Sequence, residues 1–180
     1  LGFPFTATDK FQAAPSIADI NGEKIIFSAN NDKNLYAINS DGSLRFSILT
    51  GDKVNTSPSF VNLNGHLYVM FGSKDNKVYA VDMEGNTLSG WPIILDGNIE
   101  GGIVFSDLDG NGDPEIVTVT ETGTLLVLLV DGTPYQHFPI INDLPFTGAP
   151  IIIDIDNDSD LEILGGAMNT LDVIDVKEIG

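Results

Sequence analysis

Apolar and polar positions alternate along this chain in short runs, and no window sustains the period of an amphipathic helix. Segments such as NLYAIN, KVYAVD, EIVTVT and EILGGA are brief, and each carries β-branched or aromatic residues. Asn, Asp, Gly or Pro stand close to them, the composition of strands closed by turns. Nineteen Gly and nine Pro are spread over the 180 residues, so turns are frequent. The expectation is an all-β chain.

The strand pattern itself recurs. APSIADINGEKIIFSANNDKNLYAINSDGSLRFSIL starts at 14, SPSFVNLNGHLYVMFGSKDNKVYAVDMEGNTLSGWPIIL at 57, GIVFSDLDGNGDPEIVTVTETGTLLVLLVDGTPYQHFPII at 102 and APIIIDIDNDSDLEILGGAMNTLDVIDV at 149, a period of about 45 residues. Each unit reads strand, turn, strand, short turn, strand, Asp-Gly-type turn, then a strand carrying an aromatic-Pro pair. Four short strands at this period predict β-propeller blades. Four blades are expected in a single repeat domain over 1–180, near 14–56, 57–101, 102–148 and 149–180 joined with 1–13.

The chain ends are out of phase with the blades. The last repeat stops at VIDVKEIG before its fourth strand, and LGFPF resembles the missing element, because Phe3-Pro4 parallels Trp91-Pro92 and Phe138-Pro139. Phe3 to Phe5 are therefore expected to pair with the strand that ends near Val176, in the same chain or in a neighbouring one. Between molecules this match gives a head-to-tail dimer, or a filament where the rotation does not close. A fragment of a seven- or eight-bladed propeller is the other arrangement the repeats allow, and Leu1 in place of Met suggests a processed or excised piece of a longer precursor.

The first hairpin of each repeat fills one slot in two ways. Repeats one and two close it with Asn21-Gly22 and Asn64-Gly65, residues suited to the positive φ of a tight turn. In repeats three and four the loop reads as longer by four residues and rich in carboxylates. DLDGNGDPEIV at 107–117 returns as DIDNDSDLEIL at 154–164, with oxygen-bearing side chains at offsets one, three, five, seven and nine before an apolar strand. Calcium takes six to eight hard oxygen ligands in flexible geometry, which such an arc supplies. Asp107, Asp109, Asn111 and Glu115 are expected to give side chains and Asp113 its carbonyl; Asp154, Asp156, Asp158, Glu162 and Asp160 take the same roles, for two calcium ions per chain. An EF-hand is excluded, because it needs a bidentate Glu at position twelve and flanking helices, and Thr118 and Gly165 stand there. The competing reading is an acidic solvated turn, since Asp, Asn and Gly are ordinary turn residues.

Composition narrows the function. Lys and Arg total 8 against 26 acids, a formal charge of −18, which argues against nucleic acid and against an anionic membrane surface. Nine of the 26 acids lie in the two loops, so calcium would cancel part of the self-repulsion. Cysteine is absent, which removes disulfides and thiol catalysis; no apolar stretch reaches 18 residues, so no membrane span is expected, and no signal peptide is expected either. Loops of modest affinity fill best where calcium is millimolar, which favours an extracellular or cell-surface location.

The two loops resemble the FG-GAP and VCBS repeat families, known from integrin α-subunits and bacterial surface proteins, whose pattern is D-x-D-G-D-G-x-x-D. Both copies carry Glu in place of the final Asp, and in the second Asn157 and Ser159 replace both glycines. NLYAINSDGSL and KVYAVDMEGNTL are similar to quinoprotein-type propeller strands. The resemblance spans nearly the whole chain and implies a propeller with calcium loops. It is weak for function, because adhesins, receptors and enzyme scaffolds share such repeats.

Trp91 can stack on a sugar ring, but Phe3 and Phe138 hold the same repeat position, which favours packing between blades. His66 and His137 stand in no metal or triad spacing. Asn55-Thr56-Ser57 and Asn157-Asp158-Ser159 match the glycosylation sequon, the second inside a metal loop. No catalytic constellation emerges, because the best carboxylate clusters are committed to calcium. The expectation is a calcium-stabilised, non-catalytic extracellular or cell-surface module, structural or adhesive, with a protein or glycan partner that the sequence does not name. The alternative is the propeller scaffold of a secreted carbohydrate-active enzyme such as a polysaccharide lyase.

Overall fold

The first repeat folds as an antiparallel meander: β1 (Ser16–Ile20), β2 (Glu23–Ala29), β3 (Asn34–Asn39) and β4 (Leu44–Leu49) lie side by side in chain order. The computed structural model describes residues 2–99 and 101–177. The second sheet holds β5 (Ser59–Leu63), β6 (His66–Ser73), β7 (Lys77–Asp82) and β8 (Ile93–Ile94). The third holds β9 (Val104–Ser106), β10 (Glu115–Val119), β11 (Thr124–Leu128) and β12 (Ile140–Ile141), and the fourth has three strands, β13 (Ile151–Ile153), β14 (Glu162–Ala167) and β15 (Thr170–Asp175). No helix occurs among the described residues.

The period-two alternation decides which sheet each side chain meets. On β7, Tyr79 and Val81 pack toward the first sheet with Phe27 and Leu35, while Val78 and Ala80 pack toward the third with Ile116 and Leu126. On β11 the same division sends Leu126 and Leu128 back to the second sheet and Leu125 and Val127 forward to Ile163 of the fourth. The middle strands are buried on both faces, which explains why they read as continuous apolar runs. Three cores thus separate four sheets.

The tight hairpins form as their sequence requires: Asn21 and Gly22 (φ 52° and 89°) and Asn64 and Gly65 (φ 52° and 82°) all lie in the left-handed region. The acidic loops differ less in length than the sequence suggests. Six residues separate the paired Ala18 and Ile25, and eight separate Ser106 and Glu115, so the excess is two residues instead of four. The tight turn hides this because its flanks Asp19 and Lys24 continue the ladder.

Among the described residues, the N-terminal segment does not pair with β15. Leu1 and residues 178–180, the tips of LGFPF and VIDVKEIG, lie outside the described residues. Among those described, the amide of Gly2 donates to the carbonyl of Asp41, and Phe5 packs edge-on against Tyr36 at 5.3 Å between ring centroids. Among the described residues the sheets are not closed, and no fourth strand lies beside β15. The contact it does make is a docking step shared with the second repeat. A Cβ on Gly2 would stand 3.0 Å from the Asp41 carbonyl oxygen, and one on Gly90 would stand 2.9 Å from that of Asp131. Gly2-Phe3-Pro4 thus rests on the Asp-Gly turn of the first sheet as Gly90-Trp91-Pro92 rests on that of the third.

Candidate metal centre

The two acidic loops join β9 to β10 and β13 to β14, so each starts and ends on a paired strand. The first carboxylate organises each arc by accepting backbone amides that would otherwise lack partners. Asp107 Oδ1 accepts from Gly110 at 2.8 Å and its Oδ2 from Gly112 at 2.9 Å; Asp154 accepts from Asn157 at 2.7 Å and from Ser159 at 3.2 Å. The ninth residue closes each arc from the strand: Glu115 Oε2 accepts the Leu108 amide and Glu162 Oε2 the Ile155 amide, both at 2.7 Å. Gly110 and Gly112 have φ of 77° and 96°, and Asn157 and Ser159 follow the same path at 66° and 79°. Loss of both glycines leaves the path of the second loop intact.

Three carboxylates converge in each loop. One oxygen each from Asp107, Asp109 and Glu115 lie within 4.8 Å of one another, as do those of Asp154, Asp156 and Glu162. Glu115 and Glu162 are 1% and 3% exposed, in the slot that holds buried Ile25 in the first repeat. Burial, with the charges of Asp109 and Asp107, pushes the Glu115 carboxyl up. Glu162 Oε1 is buried without a hydrogen-bond partner. A divalent cation fits these observations, because it would satisfy the orphan oxygen and offset the clustered charge.

The other expected ligands take supporting positions. Asn111 Oδ1 accepts the Asp113 amide at 2.7 Å, and Asp158 Oδ1 accepts the Asp160 amide at 3.1 Å. The side chains of Asp158 and Asp160 form a separate acidic group with Asp175 of β15, and Lys177 Nζ stands 3.7 Å from Asp160. The carboxyl of Asp160 is pushed up to about 6, chiefly by its hydrogen bond with Asp158. Loop spacing could not reveal Asp175, because a different strand delivers it through the Glu162–Asp175 pairing.

Trp91 is 7% exposed and its indole N–H donates to the carbonyl of Val130 at 3.0 Å, so it packs between blades. His66 borders an open cavity of about 580 Å³ with Asp19, Asp82 and Glu84. His137, at φ 67°, lines a smaller cavity of about 250 Å³ beside Asp109 and Lys177.

No protein-family model matches the chain, and no curated protein matches its sequence. Solved structures do resemble it in fold. The computationally designed Ika4 protein superposes with a TM-score of 0.62 at 20% identity, over 97% of this chain and 99% of its own. BamB from Moraxella catarrhalis superposes with 0.65 at 14% identity over 94% of this chain, and BBS1N, solved in complex with ARL6DN, with 0.60 at 12% over 84%. The chain spans about half the length of these last two, 48% and 44%. BamB and BBS1N are β-propeller folds, and this chain shares their propeller-like, all-β architecture.

Proposed function

We propose that this chain is a calcium-stabilised propeller module of the FG-GAP or VCBS type, extracellular or at the cell surface, structural or adhesive and not catalytic. The observation that carries the reading is the repeated carboxylate arc, with Glu162 Oε1 buried and unpartnered inside the second copy. Oxygen-only donors in a short flexible loop suit calcium better than softer metals. Calcium gathers a loop of like charges into the slot that a tight turn fills in repeats one and two, and so acts on stability. A protein or glycan partner would then meet the loops on the sheet ends.

Calorimetric titration of the chelator-treated chain with calcium should give two sites, and magnesium should bind more weakly. A ligand that binds only the folded state contributes about 2.7 kcal/mol per site at a hundredfold excess over Kd. At about 2–4 °C per kcal/mol for a chain of this size, each site should raise Tm by roughly 5–10 °C. Asp109→Ala and Asp156→Ala should each remove one site's share. Equal melting curves in calcium and in chelator at matched ionic strength would overturn the metal role, and turnover in a polysaccharide screen would overturn the non-catalytic one.

A further inference from the structure

We propose that the exposed face and edge of β15 form a docking surface for a second copy of this chain, whose N-terminal segment and first sheet complete the fourth blade. The inference rests on repeat geometry and stands apart from the metal reading.

The third strand of every other sheet sends two side chains forward into the next sheet. Leu35 and Ala37, Val78 and Ala80, and Leu125 and Val127 all stand at 0% exposure. On β15 the same two positions are Leu171 and Val173, exposed by 66% and 50%. Two apolar residues in a core register therefore face outward, on the strand that ends the fourth sheet.

The N-terminal segment shows the complementary deficit. Around the aromatic-Pro pair of the second sheet the chain does two things: Gly90 rests on the Asp-Gly turn of the third sheet, and Ile93 pairs back to Val78 of its own third strand, as Ile140 pairs with Leu125 in the third sheet. Gly2 to Phe5 does only the first, against Asp41. Phe3 accordingly stays 46% exposed, whereas Trp91 and Phe138 are 7% and 8% exposed. Carried over by register, Phe5 pairs with Leu171 and Thr6 with Thr170. The donor segment needs no new conformation, since residues 90–94 perform both tasks at once. Beside it, Phe3, Phe11, Pro15, Ile26 and Ile38 line an open apolar groove on the first sheet, where Leu171 and Val173 would seat.

The occupant is a second copy because the two deficits match each other and, among the described residues, no core joins the first sheet to the fourth.

The absence of cysteine makes the test direct. Chains carrying Phe5→Cys and chains carrying Leu171→Cys, mixed and oxidised, should give a disulfide-linked product of two chains. Phe5→Cys mixed with Ile17→Cys, an exposed position on β1, should not link. Sedimentation of the unaltered chain should show two chains per particle, and Leu171→Glu should weaken association by at least about thirtyfold. Melting curves establish that each variant is folded. A chain carrying both cysteines that closes its disulfide only within itself would overturn the second copy in favour of self-closure. Folded variants that do not link, or a mass of one chain at all concentrations, would overturn the surface itself.

Discussion

The hydroxyl of Tyr79 donates to Asp75 Oδ2 at 2.6 Å, and Tyr36 does the same for Asp32 at 2.7 Å, four residues apart in both repeats. Each carboxylate also holds the incoming connection: Asp75 accepts the Gly51 amide at 2.8 Å, and Asp32 accepts the Thr8 hydroxyl at 2.9 Å. Burial pushes the Asp75 carboxyl up, yet the hydrogen bonds from Tyr79, Gly51 and Ser73 and the charge of Lys77 outweigh it and hold it low. Burial and the facing Asp32 push Tyr36 up to about 12. A carboxylate with a depressed folded pKa contributes stability above its unfolded value, near about 3.9, and loses it as pH falls through the folded one. Tyr79→Phe should therefore cost about 1–3 kcal/mol at neutral pH, and less in acid once Asp75 is protonated. Urea unfolding at pH 7 and near pH 3 reads both values; because Phe keeps the ring that stacks on Phe71 at 5.0 Å, an equal cost at the two would show that the hydroxyl's contribution does not depend on the Asp75 charge.

At the scale of the element, the acidic loops pay for their shape in backbone conformation. Ser159 stands at φ 79° and Asn157 at 66°, where a side chain is disfavoured and Asn is better tolerated than Ser. Ser159→Gly should stabilise the chain by about 0.5–1 kcal/mol, with Asn157→Gly giving less, and calcium affinity at that loop should be kept or improved. A thermal melt in chelator checks the first, titration the second; a loss of stability on Ser159→Gly would mean that the serine makes a contact its backbone strain conceals. Strand alternation, the Asn-Gly turns and the carboxylate offsets were legible in the sequence because each is a local signal with a fixed period. What was not legible was set by other elements. Asp175 reaches the second loop only through pairing of β14 and β15, and the latches of Asp32 and Asp75 join residues 24 apart. The aromatic-Pro segments revealed their equivalence in sequence, while their docking on the next Asp-Gly turn depends on two glycines that allow close backbone approach.

For the whole molecule, charge opposes folding and assembly together. The formal charge is −18, and two calcium ions would reduce it to −14 at the places where acids are densest. Screening shortens the reach of exposed charges from about 30 Å at 0.01 M salt to about 10 Å at 0.1 M, so sodium chloride should raise Tm in chelator by weakening repulsion across the surface. Calcium acts at the loops themselves, where carboxylate oxygens lie within 4.8 Å of each other, a distance that screening at 0.1 M scarcely touches. Two consequences separate local from diffuse charge: calcium should stabilise beyond the effect of sodium chloride at matched ionic strength, and the salt slope of Tm should be shallower with calcium bound. Association through β15 should strengthen with salt in the same measurements, because its contacts are apolar while both partners carry like charge. Melting and sedimentation over about 0.01–0.5 M salt, with calcium and with chelator, read all three, and a salt slope that calcium leaves unchanged would show that the loops contribute little to the repulsion.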